Sequence, residues 1–112
     1  MDIVVQKLVA LGTPALVLVI AVSVSGFAGG AAIVSALAVL GGPWGMLGGI
    51  ALLSVIALTA DALARFGLDR LFAGVVDGLL AKGRTVEQIR REVQSYPISR
   101  SMKRSILERL LR

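Results

Sequence analysis

The sequence predicts an all-α integral membrane protein: a glycine-rich two-span helical hairpin, then an interfacial amphipathic helix and a short cytoplasmic helical hairpin. Three observations carry this prediction. Residues 8 to 60, between Lys7 and Asp61, contain no charged side chain. Hydrophobic residues make up 56% of the chain and the mean hydropathy is +0.86. The whole formal excess of +5 lies after residue 83. A soluble domain of this length needs a charged face on each helix, and a helix apolar all round needs lipid around it. At roughly 1.5 Å per residue, residues 8 to 60 reach about 80 Å as helix, against a hydrocarbon core of about 30 Å. Two spans fit.

The first unit, residues 1–66, is the transmembrane hairpin. Its first span runs over about 14–40, with Pro14 at the first helical position behind a Thr13 cap. Gly41, Gly42, Pro43, Trp44 and Gly45 form the turn over 41–45, because proline restricts its predecessor and glycine permits positive φ. The second span covers about 44–64. The stretch Gly26-Phe27-Ala28-Gly29-Gly30 offers an alternative in which residues 3 to 25 span and 28 to 40 are re-entrant. The turn lacks Lys and Arg while the tail is rich in them, so both termini belong on the cytoplasmic side of a bacterial inner membrane. A cleaved leader fits poorly, because the apolar run extends far past the length of a signal core.

Residues 67–83 read as an amphipathic helix. Leu68, Leu71, Phe72, Val75, Val76, Leu79 and Leu80 recur at helical spacing, opposed by Asp69, Arg70, Asp77 and Lys82. Gly67 is a hinge and Gly83 the stop. The membrane interface is the expected setting. Residues 84–112 form the basic cytoplasmic tail. There Thr85 and Gln88 make a capping box, Tyr96-Pro97 stops the helix, and Ser99 caps a second one. The apolar stripes Val86, Ile89, Val93 and Met102, Ile106, Leu107, Leu110, Leu111 are thin, so this hairpin must dock on something.

The chain has no histidine and no cysteine. That leaves its serines without an imidazole to activate them and excludes thiolate metal sites, so no enzyme, metal or cofactor is expected. Small residues form the clearest pattern: Gly26 and Gly30, Gly45 and Gly49, and Gly74 and Gly78 share the spacing that brings helix backbones close, and Gly67 continues the second seam. These faces are expected to close the hairpin or to join copies into an oligomer. Asp61 is paired with Arg65 one turn later, which reads as an interfacial ion pair. Arg90, Arg91, Arg100, Lys103 and Arg104 are expected to meet lipid headgroups or a partner.

The plan of short length, uncharged hairpin and basic tail resembles that of holins and other two-span pore formers, in architecture alone. The hairpin also looks like the proteolipid ring subunit of rotary ATPases, but that family has a polar cytoplasmic loop and this turn is uncharged. The tail has a faint helix-turn-helix look, yet Arg90 stands where such motifs want a small residue, so nucleic acid is the weaker partner. Two functions follow as expectations. One is a self-associating, pore-forming membrane protein with a regulatory basic tail. The other is a membrane-anchored adaptor whose tail docks a partner protein.

Overall fold

A computed structural model of the chain describes residues 2–25 and 48–111. They form α1 (Asp2–Leu11), α2 (Pro14–Ser25), α3 (Gly48–Phe66), α4 (Leu68–Ala81), α5 (Val86–Ser95) and α6 (Arg100–Leu110), with no strand among the described residues. The all-helical class is as the periodicity predicts. Among these residues no helix is long and apolar enough to cross a membrane. The far half of the first span, the 41–45 turn, Gly26, Gly30 and Gly45 lie outside the described residues.

Helix α2 begins at Pro14, as expected, but it is separated from α1 by Gly12 at φ +80°. This break also divides the alternative span over residues 3 to 25. The Thr13 cap needs correction. The amides that a cap would receive, those of Ala15 and Leu16, donate instead to the carbonyls of Gly12 and Thr13, each at 3.0 Å. The Thr13 hydroxyl is left buried with no hydrogen-bond partner.

From Ala15 to Val22 every residue of α2 is apolar and almost fully buried, and α1, α3, α4 and α6 all pack against it. An apolar helix without a polar face must be enclosed on all sides. Here the chain's own helices enclose it.

Gly67, at φ +85°, ends α3 and starts α4 in a backbone region that side chains avoid. Helix α4 buries Leu71, Phe72, Val75 and Leu79, each contributing about 1.5–3 kcal/mol by leaving water. It packs on α1 and α2. The stripe expected to lie in the membrane interface is therefore covered by protein: the uncharged α2 presents an apolar surface that the stripe matches. At the far end Gly83, at φ +96°, donates to the Leu80 carbonyl at 3.0 Å, and the Arg84 amide donates to that of Leu79 at 3.2 Å. These two bonds make the helix stop that glycine permits.

The tail folds into two helices, with caps where the sequence places them. The Gln88 amide donates to Thr85 Oγ1 at 3.1 Å, the Gln88 side chain accepts from the Thr85 amide at 3.0 Å, and Ser99 Oγ accepts from the Met102 amide at 3.2 Å. Ile89, Val93, Met102, Ile106 and Leu110 are buried. Helix α6 packs on α5 and also on α2 and α4, so the tail docks on its own chain.

Candidate functional site

The small-residue glycines within the described residues do different things. Gly49 lies in the first turn of α3, and Gly67 is a helix break with nothing near enough to touch an added methyl. Gly74 and Gly78 lie half-buried on α4. A Cβ at Gly78 would stand 2.4 Å from Val9 Cγ2, so the missing side chain is what lets α4 reach α1. That contact is internal to one chain. Ala60 and Ala64 line an open groove of about 360 Å³ with Val22, Ser23, Leu63 and Leu68.

Two hydroxyls of the uncharged segment are bonded within their own helices. Ser23 Oγ donates to the Ile20 carbonyl at 2.8 Å, and the fully buried Thr59 Oγ1 donates to that of Val55 at 2.7 Å. Both donors are consumed within their own helices, which leaves their oxygens only acceptor capacity.

The charged groups gather at the surface of α3 to α6. Arg65 Nε lies 3.1 Å from Asp61 Oδ2 with both side chains largely exposed, as the spacing implies. Arg90 holds Glu87 with two nitrogens, one at 3.0 Å, and Arg91 approaches the same carboxylate at 3.3 Å. The Arg90 hydrogen bond is the main reason that the Glu87 carboxyl titrates below its ordinary range, and the same contact raises Arg90. Lys103 Nζ donates to the Gln94 carbonyl at 2.8 Å, tying α6 to α5. Arg100 and Arg104 stand one turn apart, exposed, with no ion pair among the described residues. They form the outward cationic face of α6.

Like the Glu87 and Lys103 contacts, three further ones have no counterpart in the sequence reading. Arg84 pairs with Glu92, the Tyr96 hydroxyl donates to the same carboxylate at 3.5 Å, and Arg109 pairs with Asp69. Burial pushes the Tyr96 phenol up, and the Arg84 charge draws it partly back. Arg84 and Glu92 flank a recognisable cap, which is a weak signal for the first pair. Asp69 and Arg109 are 40 residues apart, and nothing local links them.

Arg109 also lines a second, more enclosed groove of about 290 Å³ with Asp69, Phe72, Ala73, Val76, Asp77 and Leu110. Among the described residues no three His, Cys, Asp or Glu side chains converge to hold a metal ion. No known protein family, curated protein or solved structure matches the chain.

Proposed function

We propose that this chain is a small membrane protein whose uncharged segment enters lipid and self-associates into a permeabilising assembly, with the basic C-terminal helices as its regulatory part. The observation that carries this reading is the absence of any charged side chain from residues 8 to 60. A soluble core explains one apolar helix, but this run holds several times the length of α2. In lipid such a segment satisfies its backbone internally and exposes nothing that water must solvate. The hydroxyls of Ser23 and Thr59 donate within their own helices and so supply little wettable surface. Any permeation path therefore runs between copies, through contacts of the small-residue faces. Arg91, Arg100 and Arg104 are exposed, and basic groups of this kind draw a segment to anionic headgroups by about 1 kcal/mol each. In this reading the protein sits in a bacterial cytoplasmic membrane with both termini inside.

Dye-loaded vesicles test it. The full chain should float with the vesicles and release the dye, and chemical crosslinking in mild detergent should give a discrete oligomer. Cysteines at Gly42 and Ser101 should label from opposite sides. A chain that neither floats nor causes leakage sinks the reading.

The unpaired face of Arg100 and Arg104 favours a second reading, in which the tail presents cations to an acidic protein and the hairpin is an anchor. Absence of leakage, together with loss of a copurifying protein when the chain is cut after Lys82, would promote it.

A further inference from the structure

Helix α6 is a distant part of the chain, yet it closes one side of α2. The α5–α6 hairpin that carries it is held together by packing of its two helices and by Lys103 on the Gln94 carbonyl, and α5 is braced by its capping box and by Arg84 and Tyr96 on Glu92. It joins the core through Gly83, at positive φ, where nothing lies within 4 Å of an added methyl. Its attachment to the core is the apolar row Met102, Ile106 and Leu110 and the Arg109–Asp69 pair. That pair is imperfect. Arg109 Nε is buried with no hydrogen-bond partner, so the closed state holds one desolvated donor unsatisfied.

We propose that the α5–α6 hairpin is a lid that pivots at Gly83, and that the α2 face beneath α6 is a surface for the acyl chains of a bilayer. This rests on the reading that the uncharged segment enters lipid.

The occupant follows from what opening costs. In water, lifting α6 exposes two apolar surfaces at once, the α2 face and the row Met102, Ile106 and Leu110, so the lid stays shut. Against a bilayer neither surface meets water. The α2 face passes into acyl chains, while α6 lies at the interface on the same apolar row, with Arg100 and Arg104 on its outer side toward the headgroups. A bilayer thus binds the open state in preference to the closed one, which is the condition for a ligand to shift the equilibrium. Anionic headgroups strengthen the bias, because the outward face of the lid is cationic.

The chain has no cysteine, so Asp69→Cys with Arg109→Cys can be bridged by a reducible thiol-specific crosslinker. Vesicles of equal parts phosphatidylcholine and phosphatidylglycerol serve as the probe, with hydrogen exchange of α2 amides and dye release as readouts. The bridged form should show about tenfold less dye release than the reduced form of the same sample, with α2 exchange unchanged by vesicles. Arg109→Ala, which loosens the lid without a crosslink, should release dye several-fold faster than the native chain. If native chain inserts while bridging and Arg109→Ala alter nothing, the lid is wrong and the membrane reading stands. If native chain itself does not insert, both fall.

Discussion

Helix α2 and the C-terminal hairpin touch each other but are specified in opposite ways. Helix α2 has no charged residue, no side-chain cap at its start and no preferred face, and its place comes from the helices packed around it. Helices α5 and α6 each carry a capping side chain and a narrow apolar stripe, and α5 adds ion pairs within a turn. The first kind of helix is defined by its surroundings and the second by its own residues. One consequence is that identical substitutions should have different effects in the two regions.

The largest difference is expected for charge. Leu18 is fully buried in α2, and Leu18→Lys introduces an unpaired cation that costs about 3–5 kcal/mol. Arg104→Ala, on the exposed side of α6, should change stability by no more than about 0.5 kcal/mol. Denaturation midpoints in mild detergent measure both. Equal midpoints would mean that α2 is not enclosed.

A smaller loss is expected at the contact between α1 and α4. Gly78→Ala places a methyl 2.4 Å from Val9 Cγ2, and overpacking of this kind costs about 1–3 kcal/mol. Val9→Ala in the same chain should recover much of it by vacating the space. If the double variant is no better than the sum of the two single ones, Gly78 does not meet Val9, and the close approach of α4 to α1 has to be redrawn.

What the sequence showed follows the same division. The start of α2 at Pro14, the break at Gly67, the stop at Gly83 and the caps at Thr85 and Ser99 were all legible, because each depends on a few adjacent residues. The surroundings of α2 were not, since a charge-free helix has the same pattern in lipid as in a protein core. The docking of α6 depends on residues far apart in sequence, such as Asp69 and Arg109. The turn between α1 and α2 carried a usable signal in Gly12, two residues before Pro14. At the candidate site, the Asp61–Arg65 pair was read from helical spacing; the Glu87–Arg90 pair carries the same local signal but was not read, and the partner of Gly78 could not be.

The two threonines that the sequence offers as caps, only one of which caps a helix, give a test whose sign should reverse. Thr85→Val removes an acceptor that holds the Gln88 amide, at a cost of about 0.5–2 kcal/mol. Thr13→Val replaces a buried hydroxyl without a partner by a methyl of similar size. It should be neutral or stabilising, because an unsatisfied buried group costs about 1–3 kcal/mol. Destabilisation by both would show that Thr13 has a partner after all.

The smallest expected effect lies in the hairpin's response to alkali. Tyr96 is the single tyrosine of the chain, and burial raises its phenol above the ordinary value against the opposing charge of Arg84. A raised folded value means that the folded state keeps its proton longer than the unfolded state does. The stabilisation is therefore complete below the unfolded pKa of about 10 and is lost as pH rises through the folded value. Ultraviolet titration of the native chain should show phenolate appearing later than in the denatured chain, and Tyr96→Phe should flatten the alkaline loss of stability. Helix α2 has no titratable side chain to add to this response. If the native phenol instead titrates together with the denatured one, Tyr96 is not held against the hairpin, and the Glu92 cluster that ties α5 to the Gly83 linker is open.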